Sequence, residues 1–421
     1  MTAATDADEY VIIGGGVAGC VTSYLLTQQG HAVTIIEKDS IGGLLRNIEF
    51  SDGTYCDSAP HILFYAHETE GEVADLFERF ATLRDETFYA KTYPTGDLNE
   101  PHDYPVSEAN IERWNDADAI RKERASLTPP DDAATFEAYV KPRVGPTLYR
   151  RYFGPYTEKH WGVDPDRVTG DWFDFKMNFP ETEESFFEGS AAVYPSRTYE
   201  AILNEMVAPN TVRHETVTGL DVSDSTVDAV RTDERTRITG DKFINTIDPS
   251  IVADTDTELV YRSMVIIGVR IQSATSLFPD HVDWGYFPRD YEFTRVTDYG
   301  FTDQDLAPDD HILTFEFPCF RDDPVYDWDV SRYESYLREF FADQDLRATI
   351  DEVQVRRAPR AYPLPVREQI DRFESINERL DGLSGLYNLG RVAMYEYIWI
   401  KDIVQQAIDA VEDTISEEAE L

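Results

Sequence analysis

The sequence predicts an α/β protein: a Rossmann-like dinucleotide-binding domain, an inserted and mainly helical domain, and an antiparallel β-sheet substrate domain. Three observations lead there. An apolar strand, a glycine-rich turn and a helical pattern follow one another over residues 10–29. Over residues 80–200 the βα alternation gives way to helical, aromatic sequence broken by Pro129-Pro130. Beyond it, residues 264–270 and 311–318 read as strands with no βαβ spacing, the pattern of an antiparallel sheet.

With 421 residues the chain can hold two or three domains and bury a large core. The expected division is a discontinuous dinucleotide-binding domain of 1–80, 205–260 and 355–421, a helical insertion at 81–204 and the antiparallel sheet at 261–354. Hydrophobic residues make up 42% and aromatics 13%, a globular composition. No run approaches the roughly 20 apolar residues of a spanning helix, so no membrane span is expected. Against 38 basic residues stand 81 acidic ones, a net charge of −43, which argues against binding nucleic acid or an anionic membrane and points to small-molecule partners. The acid is spread along the whole chain, and the basic residues are mostly arginine. This distribution resembles that of salt-adapted haloarchaeal proteins; an acidic tail for a basic partner would be one block. The acidic start lacks the basic and apolar regions of a secretory signal, so a cytoplasmic location is expected. Cys20, Cys56 and Cys319 are too few and scattered for a disulfide framework or a zinc cluster, and no metal is expected.

In chain order, residues 10–13 form a β-branched strand, Gly14-Gly15-Gly16-Val17-Ala18-Gly19 the turn, and residues 20–29 a helix ended by Gly30. A second strand at 31–36 ends in Glu37, completing a dinucleotide-binding βαβ unit. Gly14 allows the turn, Gly16 lets the backbone approach a pyrophosphate, and Gly19 lets helix and strand pack closely. The helix N-terminus offers partial positive charge, and Glu37 accepts from a ribose hydroxyl. After the insertion, residues 211–230 return to short β-like runs and residues 241–249 read as a strand rejoining the first domain. Residues 385–391 form strand and turn. Residues 400–415 form a helix, with Ile403, Val404, Ala407, Ile408 and Val411 at helical spacing.

Lys38 follows Glu37, and Gly42-Gly43-Leu44-Leu45-Arg46 comes shortly after. This run resembles the Gly-Gly-x-x-Arg element of the amine-oxidase-like FAD family, which implies FAD as cofactor, with Lys38, Gly43, Leu44 and Arg46 in its site. Tyr156-Thr157-Glu158-Lys159-His160-Trp161-Gly162 resembles the Tyr-Thr-Glu-Lys-x-Trp-Gly signature of UDP-galactopyranose mutases, flavoenzymes that interconvert pyranose and furanose nucleotide sugars. The resemblance runs through Ala59-Pro60-His61-Ile62, Tyr261-Arg262-Ser263, Thr294-Arg295, Tyr362-Pro363 and the segment from Gly390 to Tyr397. It implies a nucleotide-sugar substrate, reduced FAD acting through an N5 adduct, and a place in glycan biosynthesis; it leaves a homodimer open. Matched residue by residue, it implies His61, Arg295 and Tyr397 as catalytic, and Tyr156, Trp161, Arg262 and Tyr362 at the substrate. It also implies Gly390, Arg391 and Ile400, with His61, at the flavin.

The chain departs from the mutase pattern at several positions. Phe179 stands where a mobile-loop arginine is expected, and Lys176 is the nearest cation. Arg197 is the expected substitute at the substrate. Phe317 replaces a substrate tyrosine, Phe64 the second histidine of His-x-x-His, and Trp399 an acid. These departures leave open an FAD-dependent oxidoreductase of the amine oxidase or protoporphyrinogen oxidase type, acting by hydride transfer. A flavoprotein without activity is disfavoured, because the flavin-facing pieces are all present.

Overall fold

The opening strand, Glu9–Ile13, alternates along its length: Tyr10 and Ile12 enter one core cluster, Val11 and Ile13 another. A strand buried on both faces has to be apolar throughout, which is why this run does not alternate with polar residues. It lies at the centre of a parallel sheet of order Thr211–Arg213, Ala32–Ile36, Glu9–Ile13, Lys242–Asn245 and Leu386–Asn388. One face carries the helices Val17–Gln28, Tyr199–Val207 and Ile400–Ser416; the other packs against Val217, Leu220 and Val230 of a small antiparallel sheet. All five strands point the same way. The loops after Ile13, Ile36, Asn245 and Asn388 therefore meet at one edge, where such folds hold their ligands. The computed structural model describes residues 8–66, 71–131, 133–169, 177–302 and 304–416; Lys176 lies outside them.

A second sheet has seven strands in the order Ala348–Pro363, Tyr261–Ser273, Asp310–Cys319, Arg295–Asp298, Trp284–Tyr286, Ala90–Thr92 and His102–Tyr104. Every pairing is antiparallel except that of Trp284–Tyr286 with Ala90–Thr92. Along Tyr261–Ser273, Val265, Ile267, Val269 and Ile271 face the helix Val330–Asp343, while Met264 and Ile266 face Ile48 and Phe50 of the first domain. Gly268 lies on that second face. A Cβ there would come within 2.8 Å of Ile48 on the short strand Asn47–Glu49, so glycine lets that strand pack close against the seven-stranded sheet.

The segment expected to be mainly helical is so only in part. Its helices run from Glu108–Ile111 to Gly154–Trp161 and share one core cluster. Its flanks instead form the strands Leu83–Asp85, Ala90–Thr92, His102–Tyr104 and Ala191–Pro195. Strands of three to five residues are too short to show a clear period of two, so only their pairing reveals them. The strand Ala348–Pro363 likewise runs through the expected boundary at residue 355. Among the described residues, no helix is long and apolar enough to cross a membrane.

Candidate active site

At the shared edge of the parallel sheet lies a cleft of about 360 Å³, lined by Gly14, Gly16, Glu37, Lys38, Gly43, Leu44 and Arg46, with Gly390, Arg391, His61 and Ile400 at one end. Gly14 has φ +107, a backbone state favouring glycine. A Cβ on Gly16 would meet no atom within 4 Å, so this backbone faces open space. Gly19 lies outside the cleft: its Cβ would fall 2.0 Å from the Gly14 carbonyl oxygen, and glycine there lets the turn fold onto the helix. Glu37 accepts from the N–H groups of Gly15 at 2.8 Å and Asp39 at 2.9 Å, fixing the turn.

Sequence reasoning missed Arg356, which also lines this cleft and donates to the carbonyls of Gly43 and Arg46. Burial first, then neighbouring Arg46, pull its pKa down to about 10. Arg46 Nε is itself buried without a partner. Two adjacent guanidiniums, an unsatisfied donor and a glycine-lined opening fit the diphosphate of a dinucleotide. Gly19→Ala is expected to cost at least about 3 kcal/mol, because backbone must move. Gly16→Ala should leave apoprotein stability within about 0.5 kcal/mol while weakening flavin retention. Melting curves and flavin absorbance after desalting check both; equal stability loss in the two variants would contradict this assignment.

A second cavity, of about 210 Å³, adjoins the first at His61, Arg391 and Ile400, which line both. Tyr152, Tyr156 and His160 recur at intervals of four along a π-helical turn and the helix that continues it, so one face presents all three. Tyr156 stacks on His160 at 5.5 Å, and Trp161, Tyr362 and Tyr397 close the same wall. The helix ends at Gly162, φ +69, where a Cβ would lie 2.8 Å from the Arg262 guanidinium.

Arg262, expected at the substrate, does not line this cavity. It is buried and donates to the carbonyls of His160 at 2.8 Å, Lys159 at 3.1 Å and Pro318 at 3.2 Å, tying the end of the signature helix to the sheet. Its role is positioning. Arg197 is also corrected: exposed at the start of the helix Tyr199–Val207, it donates to the Phe80 carbonyl at 2.9 Å and Glu205 at 2.6 Å, outside both cavities. Phe179 packs beneath the Arg124 guanidinium at 3.7 Å and does not line the cavity either.

Arg295 does face the cavity, and it arrives with a partner. Its Nε lies 2.6 Å and its Nη2 2.8 Å from the two carboxylate oxygens of Glu316, directly opposite on the neighbouring strand. Alternation along Asp310–Cys319 turns Glu316 toward the site and Phe317 away. Phe317 packs on Tyr333 and Tyr336, so this residue removes no hydroxyl from the cavity. Tyr286, also missed, stands edge-on to Tyr156 at 5.5 Å, with the Arg295 guanidinium 6.0 Å from its ring centre. Arg391 donates to the Ile398 carbonyl and stands 5.4 Å from the ring centres of both Tyr362 and Tyr397.

The histidines here are neutral at physiological pH. Burial first, then the arginines around it, bring His61 down to about 3; burial, Arg262 and Arg295 do the same for His160. Phe64 and Trp399 do line the cavity. Phe64 stacks on Phe187 at 4.8 Å and meets Trp399 edge-on at 5.1 Å, making an apolar wall near the shared end.

A family model for UDP-galactopyranose mutase matches residues 151–350, and one for an NAD(P)-binding Rossmann-like domain matches residues 12–80. The chain is 26% identical over 170 residues to a probable UDP-galactopyranose mutase of Klebsiella pneumoniae, covering 38% of this chain and 42% of that protein. It is 34% identical over 71 residues to an uncharacterized protein from the nifH2 3′ region of Methanothermococcus thermolithotrophicus, covering 17% and 67% of the two chains. Among solved structures, a reduced UDP-galactopyranose mutase superposes with a TM-score of 0.80 at 17% identity, covering 97% of this chain and 96% of that one. A putative protoporphyrinogen oxidase from Exiguobacterium sp. follows with a TM-score of 0.74 at 16% identity, covering 98% and 100%. The structural likenesses speak for the fold. The family model spans the helix, strands and Arg295–Glu316 pair that build the site, so over residues 151–350 this chain is UDP-galactopyranose mutase-like.

Proposed function

We propose that the protein is an FAD-dependent nucleotide-sugar mutase, isomerising pyranose and furanose forms for glycan synthesis with its cofactor reduced. The observation that carries this reading is the meeting of the two cavities: a dinucleotide cleft and an aromatic chamber share His61, Arg391 and Ile400. Reduced flavin bound in the cleft would supply a nucleophilic nitrogen toward that shared end. The chain's own residues do the rest. Arg295, whose Nε and Nη2 are taken by Glu316, keeps Nη1 to donate to a diphosphate oxygen. The hydroxyls of Tyr156, Tyr286, Tyr362 and Tyr397 orient that group, and the aromatic walls limit water. Neutral His61 adds no positive charge at the shared end and can exchange a hydrogen bond through its buried, unpartnered Nδ1.

A second reading, hydride transfer to oxidised flavin, draws on the apolar wall of Phe64, Phe187 and Trp399 and on the oxidase-like neighbour. One experiment separates them. Dithionite-reduced protein in molar KCl is incubated with UDP- and dTDP-hexoses, and furanose isomers are sought by chromatography. Isomers formed without consumption of reductant support the mutase; no isomers from the reduced protein, together with bleaching of the flavin when the same sugars are added anaerobically to a separate oxidised sample, supports the oxidoreductase and overturns the first reading.

A further inference from the structure

Outside both cavities, Arg113, Arg150, Arg151 and Arg289 line one open crevice with the rings of His102 and Trp114. Arg151 is paired with Asp116 at 2.7 Å and lies 4.4 Å from the Trp114 ring centre. The other three have no carboxylate within ion-pair distance among the described residues. Arg150 reaches the Thr147 hydroxyl at 3.4 Å, Arg289 donates to the Arg150 carbonyl at 2.5 Å, and among the described residues the Arg113 side chain has no hydrogen-bond or ion-pair partner. Glu100, the remaining carboxylate of the lining, accepts from the Thr95 hydroxyl at 3.0 Å instead. In a chain with 81 carboxylates, three guanidiniums without an ion-pair partner share one concavity, where four arginines face only Asp116 and Glu100 and so repel each other.

The crevice also touches the chamber. His102 stacks on Trp114 at 4.7 Å, and its Nδ1 shares a hydrogen bond with the hydroxyl of Tyr152, a chamber residue. We propose that the crevice is a second anion-binding site, taking a multiply charged phosphoryl group from a small phosphorylated molecule, separate from Arg295 and one hydrogen bond away from the chamber. Guanidinium forks match phosphoryl oxygens two at a time, and two or three around one group meet its charge. The site stands whether or not the mutase reading does.

Inorganic pyrophosphate titrated into the flavin-loaded protein at constant ionic strength, with tryptophan fluorescence recorded, tests it. The expected result is a saturable change that Trp114→Phe removes and whose midpoint weakens at least tenfold in the Arg113→Ser/Arg150→Ser double variant. Both arginines are exposed, so the melting temperature of that variant should match the parent's. Arg295→Lys should retain the parent midpoint. No saturation in the parent, or an unchanged midpoint in the double variant, identifies only a solvated charge patch; loss of the signal in Arg295→Lys places the anion in the chamber. Any of these overturns the proposal.

Discussion

Arg295→Ala is expected to weaken nucleotide-sugar binding at least tenfold, about 1.4 kcal/mol, while flavin content in the surviving protein stays normal, because Arg295 lines the chamber and not the cleft. The same change strands Glu316, whose side chain is 4% exposed and loses both guanidinium contacts. Removing one member of a buried pair costs about 3–5 kcal/mol, so the variant should also melt well below the parent. Adding Glu316→Gln removes the stranded charge. The double variant should recover most of the stability and none of the affinity. Calorimetric titration with UDP beside thermal melts reads both quantities. If the double variant regains binding, the loss was structural; if the single variant binds UDP like the parent, the diphosphate lies elsewhere.

Salt should matter almost as much. At −43 the chain repels itself, over a screening length of about 10 Å at 0.1 M salt but about 3 Å at 1 M. Surface ion pairs such as Arg121–Glu112, Arg338–Glu334 and Arg167–Glu368 oppose this only slightly, since exposed pairs contribute about 0–1 kcal/mol each and weaken as salt rises. Repulsion among the excess carboxylates therefore outweighs them. The protein is expected to unfold on dialysis to dilute buffer and to gain melting temperature steadily into molar KCl. A melting temperature independent of KCl would show that the acidic surface is not self-repelling in the fold.

What could be read in the sequence was local. Gly14, Gly16, Gly19 and Glu37 sit within one βαβ unit, where turn geometry and helix packing depend on near neighbours: Gly14 takes the positive φ of the turn, Gly19 the close packing, and Gly16 and Glu37 line the cleft. The resemblance supplies Tyr156, Trp161, Arg295, Tyr362 and Tyr397 at the substrate, and all five line the chamber; Tyr152, His160 and Tyr286 join them there without having been singled out in the sequence. What needed tertiary structure was partnership. Glu316 meets Arg295 only because two strands pair in that register, and one more residue of shift would have put Phe317 there. Arg356 reaches the second glycine element across more than 300 positions of sequence. Arg197 and Arg262 looked like substrate cations because charge and motif do not say which way a side chain points. Packing sent one to the surface beside Glu205 and buried the other among carbonyls of the signature helix, since an arginine settles where its donors are satisfied.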